Sequence, residues 1–139
     1  MNGSTPKERA EIAMISGFSG DVRRVYTQEA YRPSSGEFDG PKVVAHAKSQ
    51  LPFLEAFAAS KADGPFIMGK SLSYVDVLWY DLIDQLAVVA GGRDVLLGTS
   101  GENPNIRAML DAVTLLVVDY VRSDRFIDRP FNNLSACFK

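Results

Sequence analysis

Cysteine and histidine are nearly absent from this sequence, and their scarcity excludes two kinds of protein. The 139 residues include one cysteine, Cys137, and one histidine, His46. A single cysteine cannot form an internal disulfide bond, so the chain is not a disulfide-stabilised secreted scaffold and fits a reducing compartment. A structural zinc site usually draws its ligands from several cysteine and histidine side chains, which this sequence does not supply. We therefore expect no bound metal.

Long apolar runs and an excess of charge of one sign are also missing. The formal net charge is −2 and the isoelectric point is near 5.3, so no strong field attracts nucleic acid or an anionic membrane. Asp76, Asp81 and Asp84 interrupt the most apolar stretch, which falls short of the roughly 18 apolar residues of a membrane helix. The amino end is polar and lacks the apolar core of a signal peptide. We expect a cytoplasmic protein that binds neither nucleic acid nor membranes.

The residues that are present suffice for one helical domain. The length allows a single domain, and 46% hydrophobic with 23% charged residues is an ordinary globular composition. Residues 5–8 form a capping box with proline at the first helical position, which predicts a helix over 6–30. A second helix is predicted after Gly40-Pro41, and Pro52 within it predicts a kink or a break near Gln50.

The second half of the chain carries a further strong helix signal. Ser73 and Asp76 have the spacing of a capping box, which predicts a helix that runs to the glycine pair at 91–92. Apolar residues occupy nearly every side of this helix, as is typical of a central one. Residues 104–123 predict one or two amphipathic helices, and 124–139 an irregular tail. Because no pattern of period two is present, we expect an all-α helical bundle.

The segment from Phe66 to Asp84 closely resembles the C-terminal helical domain of cytosolic glutathione transferases. The match is best to the mu class, followed by the pi and sigma classes, and residues 8–23, 104–107 and 121–130 resemble that class's interface helix, final helix and tail. The resemblance implies that residues 1–139 form one domain of this type. It implies glutathione as co-substrate, a hydrophobic electrophile as second substrate, and a homodimer. The family's N-terminal thioredoxin-like domain, which activates glutathione, is expected to be absent, so the chain alone should be inactive.

The resemblance also assigns roles to residues of the first helix. It implies that Asp21 reaches across the dimer to the glutamyl ammonium group of glutathione in the neighbouring subunit. It implies that Tyr31 is a catalytic residue whose hydroxyl stabilises charge developing on the electrophile. The implied substrate-binding residues are Asp21, Gly20, Arg24, Gln28 and Phe131. At Gly20 and Arg24 bulkier apolar residues are usual, so this sequence implies a wider and more polar pocket.

Structural interpretations stand beside these functional ones. Asp21 can be a solvated helix charge paired with Arg23 or Arg24, and Tyr31 can be a partly buried residue of an interface helix. Ser73 and Asp76 are expected to serve only as structural caps, because their box begins a helix that enters the core. For the whole chain, the alternative function is a stand-alone helical interaction module of a translation-factor or synthetase-type assembly.

Overall fold

The structure, a computed structural model, describes residues 3–31, 36–61, 63–99 and 101–121. Within these ranges the chain forms five α-helices: α1 (Pro6–Ala30), α2 (Gly40–Ala59), α3 (Tyr74–Ala90), α4 (Arg93–Leu97) and α5 (Pro104–Val121). Apart from an isolated bridge between Phe66 and Gly69, the same ranges contain no β-structure. The predicted all-α fold is therefore confirmed. No helix of the described part is long and apolar enough to cross a bilayer. The tail predicted over 124–139 lies outside the described residues.

α1 begins at the capping box predicted from the sequence. The Thr5 hydroxyl accepts a hydrogen bond from the Glu8 backbone N–H, and the Glu8 carboxylate accepts one from the Thr5 N–H, both at 3.1 Å. The carboxylate also accepts hydrogen bonds from the backbone N–H and the hydroxyl of Ser4, at 2.7 and 2.6 Å. The Ser4 hydroxyl, followed by the backbone groups of Ser4 and Thr5, favours the ionised form and lowers the pKa of Glu8.

α3 is the central helix and packs against each of the other four. Its buried residues are Val75, Asp76, Trp79, Leu82, Ile83, Leu86 and Ala87. The Trp79 indole N–H donates a hydrogen bond to the Ile15 backbone carbonyl of α1 at 3.3 Å, and its ring centroid lies 5.4 Å from that of Phe18. Because a buried indole needs both an apolar surrounding and a partner for its N–H, this contact fixes which side of α1 faces the core.

The start of α3 is held by a buried carboxylate. Asp76 has no exposed surface, and its oxygens accept hydrogen bonds from the backbone N–H groups of Ile67 and Ser73, each at 2.7 Å. The Ser73 hydroxyl donates a third hydrogen bond at 2.6 Å. Since Ile67 belongs to the preceding loop, Asp76 joins that loop to the helix as well as completing the capping box. The helix ends at Gly91, whose φ of 86° is the left-handed conformation that glycine adopts without strain.

α2 runs without interruption through Pro52, so the predicted alternative of a break near Gln50 is wrong. Proline removes the backbone hydrogen bond to the Lys48 carbonyl, but both residues are exposed, so water can hydrate that carbonyl. Leu51 and Leu54 are buried on the opposite side and hold both halves of the helix in the core. Packing therefore maintains the helix across the proline.

The chain after α3 contains one helix that was not predicted from the sequence. α4 is five residues long, between Gly92 and Gly98, and is too short to show helical periodicity. Leu96 and Leu97 of α4 are buried in the core.

The start of α5 is capped by a residue of another helix. The first backbone N–H groups of α5, on Asn105 and Ile106, donate to the Glu55 carboxylate of α2 at 3.0 Å. The carboxylate occupies the position that an N-cap side chain usually fills. α5 then continues as a single helix to Val121. One or two helices were predicted over 104–123, and the last two residues of that range lie outside the described residues.

Candidate functional site

α1 has one face in the core and the opposite face in solvent. Its buried residues are Ile12, Ile15, Ser19, Val22 and Glu29. On the other side, Gly17, Gly20, Asp21, Arg24, Gln28 and Tyr31 are all exposed. At about 100° per residue, these six positions share roughly 100° of the helix circumference. They form the α1 outer face, which brings together the residues that the sequence singles out on this helix.

Two glycines leave the α1 outer face open. Among the described residues, a Cβ atom added to Gly17 or Gly20 would meet nothing within 4 Å beyond its chain neighbours and the backbone of α1 itself. Each glycine costs about 1 kcal/mol relative to alanine in a helix interior. Packing within the described part of the chain therefore requires neither glycine, although both lower the stability of the helix.

Asp21 and Arg24 carry opposite charges on this face but are only loosely paired. The Asp21 Oδ1 and Arg24 Nη2 atoms are 3.9 Å apart, too far for a hydrogen bond, and the two side chains are 71% and 68% exposed. Arg23 instead donates to the Asp81 carboxylate of α3 at 3.0 Å. Of the two structural alternatives, the partner of Asp21 is therefore Arg24. An exposed pair of this kind contributes a few tenths of a kcal/mol, about the size of thermal energy, so the fold does not depend on Asp21.

Tyr31 lies at the carboxyl end of α1, with its side chain 83% exposed. Its backbone N–H donates to the Thr27 carbonyl at 3.0 Å, while its hydroxyl has no partner in the described part of the chain. Within the described part of the chain Tyr31 is therefore exposed, and its partial burial in an interface between subunits stays a prediction. Because Asp21 and Tyr31 are ten residues apart, about 15 Å of helix separates them, and they cannot contact the same atom of a ligand.

The remaining candidate residues lie elsewhere. Ser73 and Asp76 are buried at the start of α3. The three hydrogen bonds that the Asp76 carboxylate accepts all join it to the start of α3 or to the preceding loop. Phe131 lies outside the described residues. Met14, which was not predicted as a site residue, is 47% exposed and extends the α1 outer face toward the amino end. Met14 precedes Gly17 by three residues and Asp21 by seven, and this helical spacing could have indicated from the sequence that it shares their face.

Other carboxylates near α3 act as partners of arginines. Asp84 accepts two hydrogen bonds from the Arg93 guanidinium, at 2.9 and 2.6 Å. Partial burial, the largest single effect, lowers the pKa of Arg93, but the hydrogen bonds and charge of Asp84 together with Tyr80 outweigh it and raise that pKa. Within 3–31, 36–61, 63–99 and 101–121, no three histidine, cysteine, aspartate or glutamate side chains converge as metal ligands.

A surface cavity of about 650 Å³ lies at the amino end of α1, away from the α1 outer face. Its lining includes Ser4, Glu8, Lys61 and Lys70, and none of the six outer-face residues. Among the residues that the structure describes, none encloses the α1 outer face, which is an open surface there. A second surface must cover it before a small molecule can be enclosed there.

Comparison with known proteins decides the family of this chain. A family model described as "Glutathione S-transferase, C-terminal domain" matches residues 24–128. The chain belongs to the glutathione S-transferase C-terminal domain family. The matched range begins at Arg24 and includes Gln28 and Tyr31 of the α1 outer face.

Several relatives of this glutathione S-transferase domain carry mu-class names. Glutathione S-transferase class-mu 26 kDa isozyme 7 of Fasciola hepatica is 27% identical over 140 residues, which is 99% of this chain and 60% of the relative. Glutathione S-transferase Mu 3 of Macaca fuscata fuscata is 27% identical over 138 residues, 98% of this chain and 57% of the relative. The class-mu 26 kDa isozyme of Schistosoma mansoni is 34% identical over 85 residues, 60% of this chain and 41% of the relative.

These matches confirm the mu-like resemblance. The chain spans about 60% of the length of the Fasciola relative. Neither the family model nor these relatives support the alternative of an interaction module from a translation-factor or synthetase-type assembly.

Proposed function

We propose that this chain is the electrophile-binding and dimer-forming domain of a cytoplasmic glutathione transferase, which conjugates the thiol of glutathione to hydrophobic electrophiles. One observation carries the proposal. In a chain of this family, the α1 outer face gathers an open glycine surface, a loosely paired carboxylate and an exposed tyrosine, none of which the fold needs. Family membership supports glutathione conjugation as the reaction, and the features of the α1 outer face support that face as the place where the substrates bind.

Asp21 is proposed to bind the ammonium group of glutathione held by the partner subunit. Its nearest described cation is 3.9 Å away, so a ligand ammonium can replace that weak pair with a shorter, charge-assisted hydrogen bond. A hydrogen bond of this kind contributes about 1.5–3 kcal/mol. This role requires a homodimer, because Asp21 then serves the glutathione of the other subunit.

Tyr31 is proposed to face the electrophile. When the glutathione thiolate attacks, the new C–S bond pushes negative charge onto the acceptor part of the electrophile. A phenol O–H that donates a hydrogen bond to that charge lowers the barrier. The Tyr31 hydroxyl is exposed and makes no hydrogen bond in the described part of the chain, so it is free to donate.

We propose that no residue of the α1 outer face activates the thiol of glutathione, because Tyr31 is assigned to the electrophile and Arg24 lies beside Asp21, at the ammonium end of glutathione. A free thiol titrates near pH 8.5, and the thiolate is the nucleophile, so catalysis at neutral pH needs a donor that stabilises the thiolate. Asp21 is an acceptor with the wrong charge for this task. We propose that the donor, and most of the surface that holds glutathione, come from a thioredoxin-like domain. The 139-residue chain alone should then show neither saturable glutathione binding nor conjugation.

The experiment compares the chain with a two-domain protein in which a thioredoxin-like domain of a mu-class transferase precedes Thr5. We expect no conjugation of a chromogenic aryl halide above the uncatalysed rate by the chain, and clear turnover by the two-domain protein. Tyr31→Phe should lower kcat for substrates that develop an oxyanion, by about 10-fold or more. Tyr74→Phe, on α3, is the matched control and should leave kcat unchanged.

Two results would contradict the proposal. The first is turnover by the isolated chain that a substitution within it abolishes. The second is an equal effect of Tyr31→Phe and Tyr74→Phe on oxyanion-forming substrates, because the loss would then reflect the fold rather than a contact with the electrophile.

A further inference from the structure

Arg24 carries a charge that the described part of the fold leaves unused. The other arginines that the structure describes, Arg9, Arg23, Arg93 and Arg107, each donate at least one hydrogen bond within the chain. Among the described residues, the Arg24 guanidinium has only the Asp21 carboxylate as a partner, at 3.9 Å, and its side chain is 68% exposed. Its donors therefore remain available to a ligand.

The position of Arg24 places that charge within the proposed substrate surface. Gly20 lies one turn before it and Gln28 one turn after it on the α1 outer face. The open space over Gly17 and Gly20 can receive an apolar body, because no described atom outside the local backbone of α1 lies within 4 Å of the position that a Cβ would take on either glycine. Tyr31 lies seven residues further on, at about 10 Å along the helix. A ligand of two rings can therefore span the distance from the guanidinium to the tyrosine hydroxyl.

Arg24 becomes available to an anion when an ammonium group occupies Asp21. Arg23 is already committed to Asp81, whose carboxylate also accepts a hydrogen bond from Gln85 at 2.9 Å. Asp21, which competes for Arg24, is proposed above to bind an ammonium group. Binding of that ammonium would neutralise Asp21 and leave the guanidinium without its weak partner.

We propose that Arg24 selects electrophiles that carry a carboxylate or sulfonate on their apolar skeleton. This inference rests on the function proposed above, and it names the substrate class of the same surface. A planar guanidinium binds both oxygens of such a group in a fixed geometry. Because the anionic group keeps its charge throughout the reaction, the contact strengthens binding of substrate and transition state equally, so it acts on affinity rather than on kcat.

The experiment uses the two-domain protein described above, saturated with glutathione, and two fluorescent probes with the same aromatic skeleton. The first is 8-anilinonaphthalene-1-sulfonate, and the second is N-phenyl-1-naphthylamine, which lacks the sulfonate. Dissociation constants are measured for the wild type, Arg24→Gln, Arg24→Lys and the control Arg9→Gln, which removes the same charge from α1. An exposed ion pair of this kind corresponds to about fivefold in affinity.

We expect Arg24→Gln to raise the dissociation constant of the sulfonate probe about fivefold and to leave that of the neutral probe unchanged. Arg24→Lys should retain part of the affinity, and Arg9→Gln should change neither probe. Equal weakening of the sulfonate probe by Arg24→Gln and Arg9→Gln, or no weakening by either, would overturn the proposal.

A further variant separates failure of this inference from failure of the substrate surface itself. Gly20→Trp fills the open space and should weaken both probes. If Gly20→Trp weakens the neutral probe but Arg24→Gln has no effect on the sulfonate probe, only the selectivity of Arg24 is refuted. If neither probe binds, or Gly20→Trp affects neither, the α1 outer face is not a substrate surface and both proposals fail.

Discussion

The start of α3 and the α1 outer face each contain an aspartate, and the two carboxylates have opposite surroundings. Asp76 is fully buried and accepts three hydrogen bonds of 2.6–2.7 Å. Asp21 is 71% exposed, and its one described partner is a guanidinium 3.9 Å away. The Asp76 carboxylate makes its hydrogen bonds within the fold, whereas the Asp21 carboxylate makes no hydrogen bond within the described part of the chain. This difference separates a structural acid from a candidate ligand-binding acid more clearly than residue type or spacing does.

The neighbourhoods of the two aspartates differ in the same way. Asp76 lies on a helix whose buried residues include Trp79 and Leu82, and substitutions that change the volume of such buried residues disturb packing. Asp21 lies beside Gly20, where an added Cβ meets no described neighbour outside the local backbone of α1 within 4 Å. A surface that lowers helix stability without improving packing is expected where a partner or ligand approaches.

The largest expected effect is the loss of stability when the buried Asp76 is replaced. Asp76→Ala leaves two backbone N–H groups and the Ser73 hydroxyl without their acceptor in a buried site, so we expect a loss of about 3 kcal/mol in the free energy of unfolding. Asp21→Ala should change that free energy by less than about 0.5 kcal/mol. Urea denaturation of both variants measures the difference. Equal midpoints would remove the distinction between the two carboxylates.

A smaller effect of opposite sign is expected at Gly20. Gly20→Ala should stabilise the chain by about 0.5–1 kcal/mol, because it improves helix propensity and meets no neighbour. Gly64→Ala is the control, since a Cβ there would lie 2.6 Å from the Gly69 carbonyl oxygen and must destabilise the loop. Thermal unfolding of the two variants checks that Gly20→Ala raises the Tm and that Gly64→Ala lowers it. A destabilised Gly20→Ala variant would show that the chain itself occupies the space above this glycine.

The smallest effect concerns Glu8, an exposed carboxylate that the fold nevertheless uses. Its pKa in the folded chain is lowered from 4.5, first by the Ser4 hydroxyl and then by the backbone of Ser4 and Thr5. Its contribution to stability is therefore fully present above pH 4.5 and is lost as the pH falls through the folded pKa. Glu8→Gln should flatten the acid side of the Tm-against-pH profile, whereas Glu37→Gln, at an exposed position outside the helices, should not. Identical profiles for Glu8→Gln and the wild type would refute this role.

Local signals in the sequence predicted much of the fold. The capping boxes at 5–8 and 73–76 join residues only three apart, and the glycine at 91 stops a helix by itself, so α1 and α3 were predictable. The hydrogen bonds from the start of α5 to Glu55 cross fifty residues and leave no local pattern. α4 is shorter than two turns, so no periodicity revealed it.

The candidate site was predictable only in outline. Helical spacing places Gly20, Arg24, Gln28 and Tyr31 on one side of α1, but spacing does not say whether that side faces the core. The hydrogen bond from Trp79 to the Ile15 carbonyl settles this point, because it fixes the inward side of α1. The pairing of Arg23 with Asp81, which leaves Asp21 to Arg24, likewise depends on how α1 packs against α3.

The most direct test of the ligand-binding role of the α1 outer face is the glutathione affinity of the two-domain protein. Asp21→Ala should weaken glutathione binding by about 10- to 100-fold, as expected for the loss of one charge-assisted hydrogen bond of ~1.5–3 kcal/mol, with no change in thermal stability. Asp94→Ala, which removes a carboxylate from α4 that is 86% exposed, is the matched control and should leave the affinity unchanged. Equal glutathione affinities for wild type, Asp21→Ala and Asp94→Ala dimers would contradict the account.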